Sequence, residues 1–100
     1  MEQIVLDLIL YSGDARSYAM EAIQAAKGGD FNKAQELMSK SNEKLDEAHK
    51  VQTTLIQSEA GGNKTEFSLL LVHAQDHLMT SITLNTLALE IIDLHKKIAK

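Results

Sequence analysis

The chain has 100 residues, a formal net charge of −4 and no cysteine. That length predicts one domain over residues 1–100, the acidic balance argues against a nucleic-acid partner, and the missing thiols exclude a disulfide framework, a thiolate metal site and a thiol nucleophile. No basic segment leads into an apolar run at the start and no apolar stretch reaches about 18 residues, so neither a signal peptide nor a membrane span is expected and the cytoplasm is the default compartment.

Proline is absent, and alanine, leucine, lysine, glutamate and glutamine dominate. These are strong helix formers, so the expected fold class is all-α. Two glycine pairs, Gly28-Gly29 and Gly61-Gly62, divide the chain into three segments. The first helix is predicted over about residues 2–27, where Ile4, Val5, Leu8, Ile9, Ala15, Ala19, Ala22, Ile23 and Ala26 form one broad apolar stripe. Gly28 is the expected C′ residue, and Asp30 the N-cap of a second helix over about residues 31–59. That helix alternates three-four along Ala34, Met38, Ser41, Leu45, Ala48, Gln52 and Leu55. Its other face carries Lys33, Glu36, Lys40, Glu43, Lys44, Glu47 and Lys50, which reads as a solvated surface.

Asn63 followed by Glu66 resembles a capping box and predicts a third helix over about residues 64–99. This helix is apolar on more than one face. One stripe runs through Leu70, Ala74, Leu78 and Ile82, another through Leu69, Val72, Asp76, Met79, Thr83, Leu87 and Leu94. A helix apolar on two faces must bury both. In an antiparallel three-helix bundle one face packs internally, and the other predicts self-association.

Within this helix the segment Leu71–Ser81, LVHAQDHLMTS, places His73, Asp76 and His77 in apolar surroundings. Ionised groups there are costly unless paired, neutral or bound to something, so this segment is the candidate site. Short loops make sequential helices antiparallel. With the second turn centred on Gly61-Gly62, His73 falls level with about Lys50, near His49 and Gln52, and also with Leu8 and Ile9. Gly13 then falls level with Leu78. A mid-helix glycine costs about 1 kcal/mol relative to alanine, so Gly13 either marks the close approach of a group near His77 or is simply tolerated.

Together the segments Leu71–Ser81, Ser12-Gly13-Asp14-Ala15-Arg16-Ser17, Gly29-Asp30-Phe31, and Ala48-His49 with Val51-Gln52-Thr53 resemble the IIA component of the lactose/cellobiose class of the bacterial sugar phosphotransferase system. The resemblance runs over nearly the whole chain. It implies a three-helix subunit, a homotrimer and a relay that takes a phosphoryl group from phospho-HPr and gives it to a cysteine of the IIB partner during disaccharide uptake. By motif position it implies that His73 is the phosphorylated residue. It also implies that Asp76 holds a divalent cation, such as Mg²⁺, on the trimer axis. The alanine after His73 and the Leu-Val before it look more like the cellobiose or chitobiose branch than the lactose branch.

The residues themselves suit that chemistry. Neutral imidazole is a good nucleophile near neutral pH. Mid-helix N–H groups are already spent in the helix ladder, so a phosphate on His73 must rely on side chains. His77 lies one turn on along the same face and is placed to donate to that phosphate or to orient the His73 ring.

Taken singly, each residue also has an ordinary reading. His49 reads as a structural or neighbouring histidine, His95 as a surface residue near a helix C-terminus, Arg16 as a salt-bridge partner and Met79 as interface packing. Two rival functions are a metal-binding bundle and a purely structural helical adaptor. A zinc shared by His73, Asp76 and His77 of one chain is hindered because Asp76 points about 60° or more away from both histidines.

Overall fold

The computed structural model describes residues 2–64 and 66–99. They form three helices, α1 (Glu2–Lys27), α2 (Phe31–Ala60) and α3 (Leu69–Ile98), with no strand among the described residues. The molecule is a thin rod of 56 × 20 × 16 Å. The chain runs up, down and up, so α1 and α3 are parallel, and α1 packs along both other helices while α2 and α3 meet far less. No helix is long and apolar enough to cross a membrane among the described residues.

The two glycine pairs end α1 and α2 in the same way. The N–H of Asp30 returns to the carbonyl of Ala25 and that of Gly29 to Ala26, while the N–H of Asn63 returns to Ser58 and that of Gly62 to Glu59. This is the Schellman pattern, which places its C′ residue in the left-handed region. Gly29 (φ +85°) and Gly62 (φ +99°) occupy that position. The C′ residue of α1 is therefore the second glycine of the pair, not Gly28. The Asp30 side chain accepts from the N–H of Lys33 and caps α2 as expected.

The predicted start of α3 is corrected. Asn63 is drawn into the end of α2, and the N-cap is Ser68, whose hydroxyl accepts from the N–H of Leu71 at 3.0 Å. The helix begins at Leu69 rather than near residue 64. The longer connection moves the register of α3 against α2. The side chains of Gln52 and Gln75 bond at 2.8 Å, so His73 lies level with Thr54, one turn from the expected Lys50.

The core is divided in two. Ala19, Ala22, Ile23, Ala26, Ala34, Leu37, Met38, Ala88 and Ile92 pack at one end. Val5, Leu8, Ala48, Leu55, Leu71, Ala74 and Leu78 pack at the other, beneath the histidine segment. Between them lies a buried polar belt. Asn85 Nδ2 donates to Ser41 Oγ at 2.8 Å, and Ser41 Oγ donates to the carbonyl of Ala15, also at 2.8 Å. Asn85 Nδ2 also reaches Asn42 Oδ1 at 3.1 Å. One chain of bonds thus ties α3 to α2 and α2 to α1 at a single height.

Breaking this belt should cost stability without unwinding the helices. Asn85→Ala and Ser41→Ala each leave a buried polar group short of its partner, a loss of about 1–3 kcal/mol. Because the two side chains share a bond, their costs should not add in the double variant. Urea midpoints of the four proteins at one fixed concentration test this, and strictly additive losses would show that the bond does not couple the helices.

Candidate functional site

The core positions of α3 fix where the rest of the helix points. Leu71, Ala74, Leu78, Ser81, Asn85, Ala88 and Ile92 are buried. Opposite them lies an exposed stripe containing Val72, Asp76, Met79, Thr83, Leu87 and Leu94, with Leu69 at its start. His73, His77 and Thr80 fall between stripe and core, on the flank that faces α1.

His73 is exposed and His77 half-buried. Their i, i+4 spacing stacks the two imidazoles, with ring centroids 6.0 Å apart and planes inclined by 13°. On the α1 side His77 looks onto Gly13: a Cβ added there would sit 3.5 Å from His77 Nε2. That is ordinary van der Waals contact. The glycine therefore leaves a narrow gap beside the ring rather than averting a clash, and the close approach read from Gly13 is to the side chain of His77.

Arg16 comes next along α1. Its Nη2 donates to Thr80 Oγ1 at 2.6 Å. The Thr80 hydroxyl is itself set against the helix carbonyls of Asp76 (3.0 Å) and His77 (3.3 Å). The salt bridge expected for Arg16 is absent among the described residues, and its Nε is buried without a hydrogen-bond partner. Both pairs, Gly13 with His77 and Arg16 with Thr80, keep the same offset along two parallel helices. The parallel run of α1 and α3 was the signal that could have placed Arg16 beside Thr80.

Burial holds His77 below its ordinary pKa of 6.5; the Arg16 guanidinium and His73 push it the same way, and Asp76 opposes them. His77 is thus set to be neutral in the resting protein.

The remaining sequence candidates scatter. Asp76 lies exposed on the stripe opposite the core. His49 lines a shallow depression with Asp46, Lys50, Thr53 and Thr54, all of α2, and does not join the histidine pair. His95 sits half-buried in the last turn of α3, where its carbonyl accepts from Ala99. Met79 is exposed beside Asp76 on the stripe. No three His, Asp or Glu side chains gather as a metal-ligand set among the described residues, so a zinc held by His73, Asp76 and His77 of one chain has no geometric support.

A pH test follows from His77. Its folded pKa is lowered, so its contribution to stability is fully present above 6.5 and is lost as pH falls through the lowered folded value. His77→Gln removes this titration. Urea midpoints taken from pH 7.5 down to pH 5 should show the wild type losing ground to His77→Gln, and parallel curves would show that His77 is not held neutral by the fold.

Comparison with known proteins places this geometry in a family. The sequence model of the family described as PTS system, Lactose/Cellobiose specific IIA subunit, matches residues 3–96. The lichenan-specific phosphotransferase enzyme IIA component of Bacillus subtilis is 54% identical over 100 residues, spanning 100% of this chain and 91% of that protein. The crystal structure of the PTS cellobiose-specific enzyme IIA from Bacillus anthracis superposes with a TM-score of 0.95 at 61% identity, covering 97% of this chain and 89% of that one. The IIA(Chitobiose)–HPr complex of the N,N′-diacetylchitobiose branch of the Escherichia coli phosphotransferase system superposes with a TM-score of 0.86 at 49% identity, covering 99% of this chain and 96% of that one. With matches along nearly its whole length, the chain belongs to the lactose/cellobiose-specific IIA subunits of the phosphotransferase system.

Proposed function

We propose that His73 carries the phosphoryl group of this IIA chain, accepting it from phospho-HPr and passing it to the cysteine of a IIB partner in a cellobiose/chitobiose-type system. The observation that carries the reading is the exposed imidazole of His73 stacked on a half-buried neighbour, His77, beside the gap at Gly13. An exposed ring nitrogen can be approached in line, and phosphoryl transfer is mostly positioning plus charge stabilisation. The IIA(Chitobiose)–HPr complex among the related structures supports HPr as the donor. The lichenan, cellobiose and chitobiose specificities of the relatives support the branch. Such a relay works in the cytoplasm, where both protein partners reach it.

In the accepting step the lone pair of the bare His73 ring nitrogen forms a bond to phosphorus. The N–P bond of the donor histidine breaks, and its electron pair returns to that imidazole. Each ring keeps the proton on its other nitrogen, so no net proton moves. In the second step a IIB thiolate forms the new S–P bond while the N–P bond on His73 breaks. His77 assists by donating a hydrogen bond to the phosphoryl oxygens or by holding the ring of His73.

His73→Ala should keep helix content and oligomeric state, since an exposed side chain contributes little packing. With phosphoenolpyruvate, the general phosphotransferase enzymes and HPr, it should take up no acid-labile phosphate. Uptake by the variant at the wild-type rate would mean that another residue is the carrier.

The stripe opposite the core supports a homotrimer. Val72, Met79, Leu87 and Leu94 are each more than half exposed in the single chain, and they surround Asp76. Around a threefold axis of parallel α3 helices this stripe meets its own copies, and three carboxylates converge. Like charges brought together away from water repel. A hard divalent cation such as Mg²⁺ suits three carboxylate oxygens, with water completing its shell. One chain supplies a single carboxylate, so the ion would depend on assembly. Asp76→Leu should then give a trimer at least as stable as the wild type and indifferent to chelator, because apolar replacement of buried charge is often stabilising. Sedimentation of both proteins with and without chelator decides: a monomeric wild type, or a leucine variant that dissociates, rules out the axial ion.

A further inference from the structure

Arg16 is a half-buried cation without an anion. No carboxylate lies within ion-pair distance of it among the described residues, and its Nε is buried with no acceptor. Leaving a charge unpaired in such a place is costly. The guanidinium is nonetheless held in place, because Thr80 Oγ1 accepts from Nη2 at 2.6 Å while its own proton faces the carbonyls of Asp76 and His77. Thr80, His77 and His73 lie within about 60° of one another around α3, so the anchored charge faces the flank that carries both histidines. No other cation is bonded across the α1–α3 groove among the described residues; the lysines that stack on aromatic rings, Lys40 and Lys44, belong to α2.

The resting protein thus holds a fixed positive charge beside a site where, on the reading above, a dianion arrives. We propose that Arg16, anchored by Thr80, is a positioning residue that stabilises the phosphorylated state of His73 through its charge. The inference rests on His73 as the acceptor. It also accounts for the lack of a carboxylate partner, since a resident anion would cancel the field before the phosphoryl group came. The influence of Arg16 already reaches His77, which lies between it and His73. Thr80 is about two turns from His73, so the effect is one of field rather than contact, and it should be screened by salt.

The test is the equilibrium of phosphoryl exchange between phospho-HPr and the full chain, measured for wild type, Arg16→Lys, Arg16→Gln and Thr80→Val. At low salt Arg16→Gln should shift the equilibrium toward phospho-HPr by about three- to ten-fold, the range expected for a unit charge near a dianion across a partly hydrated groove. Arg16→Lys should restore most of the wild-type value, and Thr80→Val should lie between. Raising salt should narrow the gap between wild type and Arg16→Gln, which a packing role would not do. Sedimentation of the unphosphorylated proteins should coincide, so the shift is not one of assembly. An Arg16→Gln equilibrium equal to wild type overturns the inference and leaves the relay standing, as does a lysine variant no better than glutamine. A wild-type chain that takes no phosphoryl group from phospho-HPr overturns the relay reading and this inference with it.

Discussion

The histidine groove depends on the axial register of three long helices, and that register is held by one buried chain of hydrogen bonds. Helices of 26 and 30 residues packed through alanine, leucine and isoleucine have little to stop them sliding by a turn, because one small apolar side chain replaces another at the contact. The belt from Asn85 through Ser41 to the carbonyl of Ala15 removes that freedom. A slip of one turn would take the Asn85 amide and the Ser41 hydroxyl away from these partners, and a buried group left unpaired costs more than the bond itself contributes. The belt lies between the two apolar clusters, so it sets the height of both ends at once.

What the belt fixes at a distance is the company His77 keeps. With α1 and α3 parallel and locked, Gly13 comes against the edge of the His77 ring, and Arg16, one turn on, meets Thr80. The two contacts have opposite effects on solvent access and charge. Gly13 leaves room beside the ring, and Arg16 adds a positive field along the same groove. Burial and that field both favour the neutral imidazole of His77, while the nearby carboxylate of Asp76 is too exposed to reverse them. The state of His77 is therefore set first by its burial and then by a charge from α1, although the residue belongs to α3.

Much of this was legible in the amino-acid sequence, and the rest was hidden for identifiable reasons. The apolar spacing of α1 and α2 and the glycine pairs marked their limits to within a residue. The stripe of α3 that carries Asp76 was visible as a second apolar face, and it lies on the surface opposite the core. Gly13 offered the approach of a group near His77 as one of two readings, and the His77 ring does lie beside it, at a distance that a Cβ would also tolerate. The start of α3 did not follow, because Asn63 and Ser68 are both good capping residues. The choice between them was made by the Schellman end of α2, which claims the N–H of Asn63. That choice lengthened the connection and moved His73 from the level of Lys50 to that of Thr54. The setting of Arg16 was missed for a different reason. Arginine on a helix surface is ordinarily paired with a carboxylate, and only the three-dimensional packing reveals a hydroxyl in that place.

With His73 as the acceptor proposed above, the mid-helix position avoids a problem that a helix N-terminus would create. Free backbone N–H groups at an N-terminus bind phosphate well, which suits a site that retains its ligand. A relay has to release what it receives, and tight binding of the carried group would deepen the well between donor and acceptor. At His73 every nearby N–H is committed to the helix ladder, so stabilisation can come only from side chains and from fixed charge at a distance. Those are weaker, screened and tunable by single substitutions. Exposure works in the same direction, since a ring nitrogen at the surface is open to two different partners in turn. The cost is that the surroundings must be held accurately by parts of the chain that never touch the phosphate. In this protein that task falls to a belt of small polar residues well away from the histidines.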